Sequence, residues 1–260
     1  MINLIKCECL KIKRYNIIVL GLLSVLFSVV LAAIQINSTS EKYTFLDFSD
    51  GVIWNNFSLI FPFTIVLVGG FLINREYLDN TLKSIVTIPI SIKKLLLAKL
   101  IVTGFISLLY SLFSFICTLL LAFFYLDIHS FDFLQLGYSF IQIMGMGFFV
   151  FTAVSPLIIL FTRKVNSYLV GVGISFFYGF CGIFIAGRDL TFAYPITAGL
   201  TVIHYSNQII TFKYLCIAML ILVVTIIFTL FLIWISPSYE KITASNSPLK
   251  KENTVKRITK

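Results

Sequence analysis

Long apolar runs alternate with short polar stretches along this chain. Charge-poor runs occupy roughly residues 17–36, 57–74, 95–125, 134–161, 168–187 and 214–235. A helix crosses the hydrocarbon layer in about 20 mostly apolar residues, and each run is near or above that length. The runs are continuous rather than alternating, which excludes the period-two signature of a membrane strand barrel. The pattern therefore predicts an all-α integral membrane protein with six transmembrane helices. They fill a membrane domain over residues 1–236, and a basic tail, 237–260, is expected to be disordered because it is polar and poor in aromatics.

The polar stretches have patterns of their own. The leader MINLIKCECLKIKRY sets Ile2, Ile5, Cys9 and Ile12 at helical spacing, with Lys6, Lys11, Lys13 and Arg14 on the remaining surface. That predicts an N-terminal amphipathic helix lying in the interface, apolar face in lipid and lysines toward headgroups. Residues 37–56 read as a polar outer loop whose Tyr43, Phe45, Phe48 and Trp54 form part of an aromatic belt. The short acidic turn 126–133 makes His129 a solvated loop residue. Residues 188–213 contain Pro195 and Gly199 and are too broken to span, so a re-entrant or surface-lying outer element is expected there, with His204 at the interface. Within the spans, Pro62 and Pro156 each remove a backbone donor and should kink their helices. Gly171, Ser175 and Gly179 recur every four residues on one face of the fifth span and permit close helix approach, first within the subunit and second between subunits.

Composition strengthens the membrane reading. Hydrophobic residues make up 59% of the chain and charged ones 12%, with a mean hydropathy of +1.00. A soluble domain carries about 25% charged residues. The net charge of +9 is a topology signal, because basic residues mark the cytoplasmic side. Of the 20 lysines and arginines, only Lys42, Arg188 and Lys213 fall on the opposite side, together with Glu41, Asp47, Asp50, Asp127, Asp132 and Asp189. Both termini are thus expected in the cytoplasm. The dispersed positive charge suits anionic lipid rather than nucleic acid. The five cysteines form no disulfide framework, and Cys7-Glu8-Cys9 lacks the further ligands that a zinc site needs.

No ionisable side chain sits in the middle of a predicted span, where ion-coupled carriers place their working charges. The chain has no GxxxxGK[ST] phosphate loop, no HExxH, no GxSxG and no intramembrane pair of acids. The sequence therefore predicts no catalytic residue, no metal and no directly bound cofactor. A transporter of this composition needs an engine on another subunit.

One polar insert stands apart: REYLDNTLKSIVTIPISIKKLLLAK, residues 75–99. Leu78, Leu82 and Ile85 fall on one helical face, and Asp79 or Asn80 can cap its start. Pro89 stops the helix, since the residue before proline avoids the helical region. Ser91 can cap a new helix that runs on into the third span. The expected product is a short helix across the cytoplasmic ends of the second and third spans. It is either a simple linker or a docking peg for a soluble motor. A linker needs only a few residues, whereas this segment carries its own start and stop signals.

These residues resemble a known family, the type-two permeases of ATP-binding-cassette exporters. Such permeases carry, between spans two and three, a glutamate followed by Thr-Leu, then Pro-[Ile/Val]-[Ser/Thr] with basic residues, then Leu-Leu-x-[Ala/Gly]-Lys. Here the counterparts are Glu76, Thr81-Leu82, Pro89-Ile90-Ser91, Lys93-Lys94 and Leu96-Leu97-Ala98-Lys99, with Asn80 in place of the usual glycine and Lys93 near the usual arginine. The Tyr194-Pro195-Ile196-Thr197 string is similar to the family's aromatic-or-Asn-Pro-Leu-Thr string. The resemblance implies an interfacial N-terminal helix, six spans, both ends inside and a re-entrant outer element between the last two. It implies that Glu76, Leu78, Thr81, Leu82, Ile85 and Pro89 couple the permease to its motor. The implied partners are two cytosolic ATPase subunits, which hold ATP and magnesium, and a second permease, identical or paralogous. Size, leader and composition are similar to small Gram-positive permeases that expel or protect against antimicrobial peptides such as lantibiotics and bacitracin. The implied cargo is then an amphipathic peptide taken from the membrane. The alternatives are a drug, a lipid-linked glycan or a secreted peptide as cargo, a secondary carrier, or a structural membrane protein.

Overall fold

The computed structural model describes residues 1–12, 15–37, 44–78, 91–125, 132–162, 167–188, 190–207 and 211–236. The described residues form helices and no strand. In chain order these are α1 (Ile2–Ile12), α2 (Ile17–Asn37), α3 (Phe45–Asn55), a π turn at Asn56–Ile60 and α4 (Phe61–Leu78). Then follow α5 (Ile92–Tyr125), α6 (Phe133–Phe161), α7 (Tyr168–Ala186), α8 (Pro195–Val202), a 3₁₀ turn at Tyr205–Asn207 and α9 (Phe212–Ile235). Six stretches are long and apolar enough to cross a membrane: Ile17–Ile36, Phe45–Glu76, Ile92–Phe124, Phe133–Phe161, Tyr168–Ala186 and Phe212–Ile235.

The second of these differs from the sequence reading. Residues 45–55, expected in a polar loop, are helical and continue through the π turn into α4. Thr44 starts the helix with a capping box: its backbone N–H donates to Asp47 Oδ2 at 2.9 Å, and the Asp47 N–H donates back to Thr44 Oγ1 at 3.4 Å. Phe45, Phe48, Ser49, Val52 and Ile53 are buried, a helical spacing that the intervening polar residues hide in the linear sequence. The aromatic residues Phe45 and Phe48 therefore pack inward rather than forming a headgroup belt, while Trp54 stacks on Tyr205.

α4 lies at the centre, packed on α7, α6 and α5. Proline at 62 leaves the Ser58 carbonyl without its helical donor, and the π turn just before it absorbs the altered register. The fifth-span stripe meets that spot. A Cβ on Gly179 would drive into the Ser58 carbonyl oxygen, and one on Gly171 into the Phe161 ring, while Ser175 is buried between them. The small residues thus let α7 approach α4 and the end of α6 within one subunit. In α6, the carbonyl of Thr152, which Pro156 leaves unpaired, accepts the Ser155 hydroxyl at 2.9 Å.

The 188–213 link contains α8, an eight-residue helix with Pro195 in its first turn, buried from Ile196 to Thr201 and packed on α9 and α6. After it, His204 and Ser206 adopt left-handed backbone, at φ of 51° and 56°. Gln142 Nε2 and the Tyr138 hydroxyl hold that turn by donating to the His204 carbonyl, each at 3.2 Å. The faces of α2, α7 and α9 turned away from the core are apolar, as with Leu23, Phe177 and Phe231, and suit hydrocarbon as solvent. The tail 237–260 and His129 lie outside the described residues.

Candidate functional site

Residues 79–90, the core of the insert that the sequence singles out, lie outside the described residues, and so do Thr81, Leu82, Ile85 and Pro89. Both of its ends are described. Leu78 is the last residue of α4. Ser91 precedes α5, where its Oγ accepts from the Lys94 N–H at 3.4 Å and its carbonyl from the Leu95 N–H. A tight group of charged side chains lies beside those ends.

Glu76, near the end of α4, and Lys99, two turns into α5, are both buried, and α1 adds Glu8 and Lys11. Lys99 Nζ donates to Glu8 Oε2 at 2.5 Å and to the Leu72 carbonyl at 3.0 Å, and stands 3.1 Å from Glu76 Oε1. Lys11 Nζ donates to Glu8 Oε1 at 2.6 Å and to Glu76 Oε1 at 3.0 Å. Each carboxylate is shared between two ammonium groups, and the four charges sum to zero. Pairing of this kind is what makes burial of ions tolerable, because an unpaired ion here costs several kcal/mol. Burial by itself would raise the Glu8 carboxyl; the Lys99 and Lys11 ammonium groups outweigh it and hold Glu8 below the ordinary value of 4.5. Burial likewise disfavours the Lys11 ammonium, but bonding to Glu8 and Glu76 prevails and raises it above its ordinary 10.5. Next to this knot, the Arg75 guanidinium lies 4.5 Å over the Tyr15 ring, fastening the start of α2 to α4.

Glu76, which the resemblance implies in coupling, pairs with both Lys11 and Lys99. The knot corrects the reading of α1. Lys11, expected to face headgroups, turns inward, while Lys6 is exposed and Lys13 and Arg14 lie outside the described residues. The predicted apolar stripe divides: Ile5 and Ile12 join the core around Glu8, and Ile2 and Cys9 are exposed. Sequence reasoning misses Glu8, whose signal is its place between Ile5 and Ile12 on one face, three residues before Lys11. Lys99 was read for topology and motif alone.

The geometry ties the N-terminal helix to two spans at once. A family model described as ABC-2 family transporter protein matches residues 4–182. The chain belongs to that family. The matched region takes in all four members of the knot and the insert. No curated protein matches the chain. As an ABC-2 family member with six apolar helices, it is a multi-pass membrane protein and the membrane subunit of an ATP-binding-cassette exporter, and it works with an ATPase subunit and usually a partner permease.

Proposed function

We propose that this permease receives the closure of two cytosolic ATPase subunits on residues 79–90 and passes it to α4, α5 and α1 through the charge knot. Both termini are cytoplasmic, and the ABC-2 subunit pairs with a second permease. It has no ATPase site and binds no cofactor itself; ATP and magnesium belong to the motor. The cargo is an amphipathic antimicrobial peptide such as a lantibiotic, taken from the membrane of a Gram-positive cell that the exporter protects. One observation carries the coupling reading: Glu8 and Lys11 reach both Glu76 and Lys99, which flank the insert at the ends of two spans. A push on the insert would thus move three elements as a unit. The cargo is supported by the resemblance of the leader and composition alone.

The test is co-expression with the partner ATPase in a peptide-sensitive host. Glu76→Gln should abolish most of the resistance while the ATPase still co-purifies. Unchanged resistance in that variant would overturn the coupling reading. A wild-type complex that is assembled and hydrolyses ATP, yet leaves the host fully sensitive to lantibiotics, would overturn the cargo alone.

A further inference from the structure

A groove of about 390 Å³ runs beside the knot between α1, α2 and α5. Its walls are Cys9 and Ile12 of α1, Ile18 and Leu22 of α2, and Val102, Phe105, Ile106, Leu109 and Tyr110 of α5. The phenol of Tyr110 is satisfied by donating to the Ile18 carbonyl at 3.3 Å, so no unpaired polar group asks for water. From Val102 to Tyr110 the floor extends about 12 Å along α5, at the rise of an α-helix. An apolar trough of that length takes the headgroup-proximal part of one extended acyl chain, the rest of which continues into the surrounding hydrocarbon. Phe105 and Leu109 on its rim are 56% and 60% exposed on a membrane-spanning helix, so the trough opens to hydrocarbon. An apolar recess facing lipid gains contacts when a chain fills it and forfeits them when empty.

We infer that this groove is a binding site for an anionic phospholipid, its acyl chain laid between α1, α2 and α5 and its phosphate beside Lys6. The headgroup class follows from charge. Cys9 lines the groove, and Lys6, exposed and one turn earlier on α1, shares the same helical face. The opposite face of α1 is tied into the knot, whereas the exposed Lys6 makes no ion pair among the described residues and stands one helical turn from the Cys9 that lines the groove. A lysine at the membrane surface favours anionic over zwitterionic lipid. Because α1 is one wall, the lipid also holds in place the helix that carries Glu8 and Lys11. The site rests on the proposed function only for the leaflet, which is cytoplasmic in that reading.

The experiment uses the full chain in nanodiscs and follows the native thiols with N-ethylmaleimide. Phosphatidylglycerol should slow Cys9, which lines the groove, but leave Cys7 unchanged, and phosphatidylcholine with the same chains should protect Cys9 far less. Lys6→Gln should weaken the phosphatidylglycerol effect about fivefold. Ile106→Trp, which fills the trough, should make Cys9 reactivity independent of lipid. Equal protection by the two lipids, or an unaltered lipid response in Lys6→Gln, overturns the proposal. So does protection in lipid-free detergent that grows with protein concentration, which would put a second copy in the groove. Lys6→Gln changes an exposed side chain, so the outcome stands even if Ile106→Trp fails to fold. Transport plays no part in the readout, so failure of the coupling reading leaves the result intact.

Discussion

Glu8, Lys11, Glu76 and Lys99 pair with one another, so removing one member should have a larger effect than removing an opposite pair. Lys99→Met leaves two carboxylates against one ammonium and should destabilise α1 docking by about 3–5 kcal/mol. Adding Glu8→Gln restores charge balance and should recover most of that loss. Amide hydrogen exchange in α1 measures both: fast in the single variant, slower again in the double. The same readout gives a pH window. Glu8 is held below 4.5, so its contribution is present above that value and is lost as pH falls through the lower, folded one. Lys11 is raised, so its contribution is present below 10.5 and is lost as pH climbs through the higher, folded value. Exchange in α1 should therefore be slowest between those limits and accelerate on strong acidification. If the pH-corrected exchange of α1 falls on acidification, the assignment of these pairs fails. The sequence made Glu76 legible through its motif. It left Glu8 hidden, because a helix-face argument sorts residues by polarity and a buried ion pair inverts that sorting.

At the scale of elements, α7 offers a controlled comparison. Gly179 abuts the Ser58 carbonyl, whereas a Cβ on Gly173 of the same helix meets nothing within 4 Å. Gly179→Ala should overpack the α4–α7 contact and cost about 1–3 kcal/mol. Gly173→Ala should be neutral or slightly stabilising, since alanine is the better helix former. Thermal unfolding in detergent ranks the two, and equal midpoints would mean that α7 does not seat on the π turn. The close approach was legible from spacing alone, but its partner was not, because only the tertiary fold brings the Ser58 carbonyl, whose helical donor Pro62 removes, to Gly179. The reverse holds at α3. Its Thr44–Asp47 box was readable, yet the polar residues around it outvoted the buried spacing of Phe45, Phe48, Val52 and Ile53. Thr44→Ala removes the cap, costs about 1 kcal/mol and should raise amide exchange in the first turn of α3 while leaving α4 unchanged.

Across the whole molecule, hydrocarbon thickness made the six apolar stretches legible, since it fixes how many residues a crossing helix needs. The sequence predicts a re-entrant or surface-lying outer element at 188–213, and the short helix α8 lies there; its buried packing was not legible, because proline and glycine report where a helix breaks and not where it packs. In the reading proposed above, the movement of the permease starts at the insert between α4 and α5. In the proposed mechanism Leu82 enters a groove of the ATPase, with Leu78 and Ile85 on the same stripe. Leu82→Asp would set an unpaired charge against that groove, at a desolvation cost of several kcal/mol. Leu82 is not one of the four knot residues and falls in sequence between the apolar stretches that end at Glu76 and begin at Ile92, so expression and the accessibility of Cys7 should stay normal. Co-purification of the ATPase, or transport-linked hydrolysis, should fall at least tenfold, which corresponds to about 1.4 kcal/mol of lost contact. Leu82→Met, which keeps an apolar side chain of similar size, should retain both. If Leu82→Asp binds its ATPase and transports as the unaltered chain does, the insert is a linker and the motor must engage elsewhere.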